Sequence, residues 1–266
     1  MTARRIFAWS LLAAMLTASL LAALLPGMSY SQQHREFTNA SPSRQFLLGT
    51  DDLGRDRLAR LLYATRVSLL LAGAAALGAL LLAAIAGGVA GYLGGWTDRA
   101  LLRTIDLMMS LPWLFLLIAA RALLPLNSSP QTSLIVTYVL LALLGWAAPA
   151  RVIRAGVRSL RDSDFVLQAR ASGCRPSRLL LRQILPNLRP ILQAQFWTSI
   201  PIFILAEANL GFLGLSASEP MPTWGNLLRE LQSPLMLRPE AFAPVAAVIL
   251  SVLCFKLITS WGGSQV

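Results

Sequence analysis

Between Val67 and Thr97 the chain carries no ionisable side chain except Tyr92. A bilayer core about 30 Å thick is crossed by roughly 20 largely apolar helical residues, so this stretch is long enough to span one. Ala, Leu and Gly dominate it. Gly73, Gly78, Gly87, Gly88 and Gly91 are poor choices for a soluble helix. In a membrane, small residues let helix backbones approach closely, so the stretch reads as a span packed inside a bundle.

Composition extends that reading to the whole chain. Apolar residues make up 56% and charged residues 13% of the 266 positions, against roughly 25% charge in soluble domains. Further candidate spans fall at residues 6–25, 105–124, 131–150, 190–214 and 241–261. The expected fold is all-α, a polytopic integral membrane protein with about six transmembrane helices. Residues 1–65 form an N-terminal anchor helix and an extracytoplasmic segment, 66–261 the transmembrane core, and 262–266 a short tail. Arg4 and Arg5 precede a first run longer than a signal peptide's apolar region, with no small-x-small cleavage site after it, so an uncleaved anchor is expected. Pro112 is expected to kink the third span unless it falls in the first turn. Arg121, near that span's end, is expected to snorkel outward. Residues 125–130 read as a turn.

Six spans put both termini on one side. With the N-terminus inside, the inner segments hold 13 arginines and the outer segments 9, the stretch at 150–190 supplying nine of the inner ones. Arginine accumulates in cytoplasmic loops, so both termini are placed in the cytoplasm. Cys174 and Cys254 lie far apart and His34 is the one histidine, which argues against a disulfide framework, a metal site or a Ser/His/Asp site. The acids near Gly54 lack calcium-loop spacing.

Two polar stretches carry structure. In residues 26–66, Thr50 or Asp51 is a candidate helix cap, and Gly49 and Gly54 allow tight turns. Residues 150–190 read as two short helices. The first is capped by Ser163 or Asp162, runs from Asp164 and Phe165 through Ala169 and Arg170, and ends at Gly173. The second starts at Pro176, runs through Leu179 to Leu185 and stops at Pro186. Nine arginines on a helix–turn–helix raise nucleic-acid binding, but the pair lies between spans and has no base-reading polar face. Contact with lipid headgroups is the plainer reading. A compact, capped pair is more structure than a topology signal needs, and it suggests docking into a partner's groove.

Residues 168–186 resemble the EAA loop of ABC importer permeases. Ala169, Gly173, Leu185 and Pro186 stand where that pattern has them, with Leu167 at the glutamate position, Gln168 at the first alanine and Gln183 at the isoleucine. Four further segments are similar to the dipeptide/oligopeptide/nickel class, second permease type: Leu48-Gly-Thr-Asp-Asp-Leu-Gly-Arg-Asp56, Ala90-Gly-Tyr-Leu-Gly-Gly-Trp-Thr-Asp-Arg99, Leu205-Ala-Glu-Ala-Asn-Leu-Gly-Phe-Leu-Gly-Leu215 and Pro222-Thr-Trp-Gly-Asn226. The ending from Phe255 departs from that class. The resemblance implies the type I ABC importer permease fold in a bacterial inner membrane. It also implies a second homologous permease, two ATPase subunits and an extracytoplasmic solute-binding protein, with membrane lipid around them and no nucleic acid.

No GxxxxGK[ST] loop is present, so ATP and Mg belong to the partner subunits. The chain is expected to bind no cofactor or metal and to catalyse no reaction. Coupling to the ATPases is assigned to Asp162, Asp164, Phe165, Ala169, Arg170, Gly173, Leu185 and Pro186. Glu207, an acid inside a span, and nearby Asn209 are candidates for the translocation path; for Glu207 the alternative is a hydrogen-bonded carboxyl holding helices together. Trp96, Trp146, Trp224 and Trp261 read as interfacial. Alternatives are a nickel-chelate or opine importer permease of the same class, an ion-coupled secondary transporter and a non-transporting membrane scaffold.

Overall fold

Asp56 sets where the longest helix begins. Its carboxylate accepts the Leu58 amide hydrogen at 2.8 Å, and helix α2 runs from there over Arg57–Leu93. Thus Asp56, rather than Thr50 or Asp51, is the cap. The 37 residues of α2 span about 55 Å at 1.5 Å per residue, well beyond a bilayer core. Residue 66, expected to open the core, falls inside it.

A computed structural model describes residues 3–22, 24, 28–123, 129–217, 219–232 and 238–259. Most of the expected turn at 125–130, the end of the sixth span with Trp261, and the tail lie outside them. Helix α1 (Ala3–Ala22) packs on α2 and on the last helix.

The third expected span is not one helix. Helices α3 (Gly95–Ser110) and α4 (Trp113–Ala122) meet at 83° across Leu111 and Pro112. Proline lacks an amide hydrogen and disfavours helical geometry in the residue before it. Leu111 is accordingly extended, and Pro112 takes the N-cap position of α4.

Helix α5 (Pro130–Leu144) starts where Ser129 accepts the Thr132 amide hydrogen, breaks at Gly145 and Trp146, and is followed by α6 (Ala147–Arg161). The helix pair follows as α7 (Asp164–Ala171) and α8 (Pro176–Leu179). The latter continues through a π turn at Leu180–Ile184 into α9 (Leu185–Asn187). Helices α10 (Arg189–Phe212), α11 (Trp224–Arg229) and α12 (Ala243–Thr259) complete the chain. Among the described residues, five segments are long and apolar enough to cross a membrane: Ala3–Ala22, Arg57–Leu93, Pro130–Arg161, Arg189–Phe212 and Pro239–Thr259, with the bent α3–α4 pair as a sixth if it is one span.

Two apolar clusters lie along α2. The larger joins α1, α5, α10 and α12 around Leu141, Phe203 and Trp224. The smaller joins the glycine-rich end of α2 to α3, α6 and the short helices through Ala83, Ile105, Ile153, Val166, Leu179 and Ile184. A β-carbon on Gly87 would sit 2.5 Å from the Ala150 carbonyl oxygen, and one on Gly91 2.7 Å from that of Arg154. The two backbones are therefore in direct contact there, as the small-residue pattern leads one to expect. Gly73, by contrast, faces open space.

Candidate functional site

The helix pair between α6 and α10 forms an elbow. Val166, Leu179, Ile184 and Leu188 are buried in the smaller core cluster, with Ala169 and Leu185 packed at its edge. The elbow is therefore fastened to α2 and α6 rather than hanging free. Gly173 makes the turn at φ +76°, the left-handed region that glycine enters without steric cost, and a β-carbon there would meet nothing within 4 Å.

Two local expectations fail. Ser163 holds the N-cap position, but its hydroxyl donates to the Leu160 carbonyl at 2.6 Å and makes no cap bond. Pro186 does not stop the second helix. The Leu185 amide reaches back five residues to the Leu180 carbonyl, and this π register carries the helix past the missing proline hydrogen to Asn187.

The assigned coupling residues converge on this elbow. Asp162 is exposed and accepts from Arg161 at 3.2 Å. Asp164 is exposed and opens α7, and Phe165 is 39% exposed. The Arg170 guanidinium stands 5.8 Å from the Tyr92 ring centre. Behind the elbow, Asp98 of α3 is buried and takes hydrogen bonds from Arg154 and Arg158 of α6. Arg151 pairs with Asp106. The arginine-rich stretch thus spends its first members on acids inside the fold.

The opposite end of α2 carries a second device, absent from the residues assigned from sequence. Asp51 Oδ1 accepts the Leu53 and Arg55 amide hydrogens at 3.0 and 2.8 Å, closing a turn at Gly54. Its Oδ2 takes Arg55 and Arg60, each at 2.6 Å. The same two arginines reach Glu219, at 2.6 and 3.2 Å, and Glu230 lies 3.9 Å from Arg60 and 3.8 Å from Arg57. Three acids thus face three arginines, and they clamp the residues on either side of α11, Glu219 and Glu230, onto the start of α2. Burial opposes the charge on Arg55, but its hydrogen bond to Asp51 and the charges of Glu219 and Asp51 outweigh that and raise its pKa. Burial raises the Asp56 carboxyl against the amide bonds from Leu58 and Ala59, and raises Glu230 against the pull of Arg60 and Arg57. The sequence held two signals: the segment at 48–56, which contains Asp51 and Arg55, and scarcity, since 12 acids against 23 basic residues leave few acids for each arginine to find.

Glu207 and Asn209 are not brought together. Glu207 is fully buried and accepts the Ser216 hydroxyl at 2.8 Å. The Ser216 carbonyl accepts the Ser133 hydroxyl at 2.8 Å, and Ser133 in turn accepts a hydrogen from Arg121. A buried polar chain therefore ties α4, α5 and α10 together. Arg121 turns into this chain instead of snorkelling outward. Asn209 is exposed and donates to the Leu205 carbonyl of its own helix. Trp224 is not interfacial either: it is fully buried, its indole donating to Thr65 at 3.2 Å and its amide to Ser68 at 3.3 Å. Gly211 and Gly225 pack backbone to backbone beside it, a β-carbon on Gly211 falling 2.6 Å from the Gly225 Cα.

A bundle of long apolar helices with a structured elbow between two of them is the architecture of a polytopic membrane protein. Residues 79–263 match the family described as the binding-protein-dependent transport system inner membrane component, and the chain belongs to that family. It is 36% identical over 242 residues to the dipeptide transport system permease protein DppC of Alkalihalophilus pseudofirmus, covering 90% of this chain and 77% of that protein. It is 34% identical to the glutathione transport system permease protein GsiD of Pectobacterium atrosepticum, over 83% of this chain and 71% of that one. Identity to the oligopeptide transport system permease protein OppC of Bacillus subtilis is 30%, over 86% and 73%. The chain is a multi-pass inner-membrane permease subunit of an ABC importer, a family that works with ATPase and solute-binding partners.

Proposed function

We propose that this chain is one of two homologous permease subunits that together import peptides. Two ATPases dock from the cytoplasm and a solute-binding protein delivers from outside. Relatives named for dipeptide, glutathione and oligopeptide transport support the substrate class. Both termini face the cytoplasm in this reading, which the arginine-rich elbow supports. The chain itself binds no cofactor and performs no covalent chemistry; ATP and Mg are held by the ATPases.

The observation that carries the coupling role is the shared core. Val166, Leu179 and Ile184 of the elbow are buried with Ala83 of α2 and Ile153 of α6, so a push on the elbow is passed directly to two long helices. ATPase closure then has something rigid to move, and the two states of the path differ in how these helices lie against the second permease. Glu207 serves in this reading as a buried post between helices, since it is fully buried and its Oε1 accepts the Ser216 hydroxyl.

Gly173→Val tests the proposal. It forces a β-branched residue into φ +76° and disrupts the turn. We expect peptide uptake to fall at least tenfold while the chain still inserts. Uptake and transport-coupled ATP hydrolysis at wild-type rates would remove the elbow from the coupling path.

A further inference from the structure

Of the nine arginines from Arg151 to Arg189, seven divide into two groups; Arg170 lies over the Tyr92 ring and Arg189 opens α10. On α6, Arg151 pairs with Asp106, Arg154 and Arg158 share Asp98, and Arg161 reaches Asp162 and the Tyr92 carbonyl. Past the elbow's bend the pattern stops. Arg175, Arg178 and Arg182 are exposed, and their side chains have no hydrogen bond, ion pair or ring contact among the described residues. The acids of the elbow do not answer them. Asp162 is taken by Arg161, and Asp164 stands at the far end of α7.

The shape around these charges is concave. Ser172, Gly173, Cys174, Arg175, Ser177 and Arg178 line a polar hollow of ≈ 590 Å³ at the bend. On α7, Phe165, 39% exposed, and Leu167, 46% exposed, flank the buried Val166 on different sides of the helix. Apolar side chains left open on the same elbow as unneutralised cations describe half of an interface. A flat anionic bilayer would meet the charges equally well on a convex surface and has no use for the hollow. A projecting carboxylate does.

We propose that the elbow is the basic half of a charge-matched contact, and that the ATPase subunit it meets brings an apolar-floored cleft with an acidic rim, one carboxylate entering the hollow between Arg175 and Arg178. This rests on the docking reading above and adds the chemistry of the partner. Leu167 marks the consequence. An acid there would face the acidic rim, so the position holds an apolar side chain that fills the floor. Electrostatic matching of this kind selects partners by repelling wrong ones and makes assembly depend on salt.

The test uses the assembled transporter in nanodiscs, with the amount of ATPase retained on the tagged chain measured against salt. Arg175→Glu with Arg178→Glu should cut retention at low salt at least tenfold. Arg175→Lys with Arg178→Lys should keep it within twofold, because the charge is preserved. Leu167→Glu should weaken retention as well. Retention of the charge-reversed chain at the wild-type level with the wild-type salt dependence would overturn the acidic cleft, as would tighter retention by Leu167→Glu. Retention that follows the phosphatidylglycerol content of the disc equally in all variants would assign the arginines to lipid and also overturn it.

Failure of the docking reading itself is seen separately. A photoreactive label on Phe165→Cys, in a Cys174→Ser, Cys254→Ser background, should crosslink to the ATPase. Absence of that crosslink takes down the docking itself. A crosslink combined with charge-independent retention takes down only the acidic partner.

Discussion

Asp51 does three jobs with one carboxylate: it closes its own turn, holds Arg55 and holds Arg60. With side-chain exposures of 2% for Asp51 and 1% for Arg60, water cannot replace a lost partner. Removing one member of a buried pair costs about 3–5 kcal/mol where the other charge is stranded, and here Glu219 still answers both arginines. Asp51→Ala should therefore lower the stability of the detergent-purified chain by less than that amount and loosen the segment around Glu219, which limited proteolysis would reveal. Glu230 behaves differently. Burial raises its pKa, so the folded chain binds this proton more tightly than the unfolded one. Its contribution to stability is greatest below the ordinary carboxylate range and is lost as pH climbs through the raised value. Glu230→Gln removes that dependence. The gap in melting temperature, wild type minus variant, should widen in favour of wild type as pH is lowered from neutral.

Among the elements, the contact of α2 with α6 fixes the geometry of everything near the elbow. Gly91 touches the Arg154 carbonyl and Val157, and overpacking a tight contact costs about 1–3 kcal/mol. Gly91→Leu should exceed that range and shift α6, read as lost protein after detergent extraction. Gly173 is the counter-example. Space around it is open and only its φ of +76° is demanding, so Gly173→Asn, which tolerates the left-handed region, should keep most of the uptake that Gly173→Val loses. Paired measurements of the two variants separate backbone strain from crowding.

At the scale of the whole molecule, α2 joins two ends that do different work. One end holds the clamp of three acids and three arginines; the other holds the elbow. Asp98 is the tie between the bent α3–α4 pair and α6, through Arg154 and Arg158. With the elbow as the docking site, a push on α6 reaches α3 through that tie. Asp98→Ala should leave ATPase retention near the wild-type level while uptake drops at least tenfold, measured side by side in the same membranes. Equal loss of both would instead make Asp98 part of the docking surface.

The apolar helical segments, the arginine excess and the existence of the elbow were legible in the sequence, because each depends on residues close together in the chain. Span length follows from counting apolar residues, and the turn at Gly173 follows from a local backbone preference. The π turn that carries a helix past Pro186 was not legible, since it depends on which carbonyl the Leu185 amide reaches. Nor were the partners of the charges. Arg60 meets Glu219, 159 positions away, and Arg121 meets Ser133 rather than solvent. Glu207 finds Ser216 because the chain after α10 folds back to place that hydroxyl against it. Composition and periodicity determine which residues enter the membrane; only tertiary packing decides which polar groups there find one another, because that choice is made across distances the chain does not encode locally.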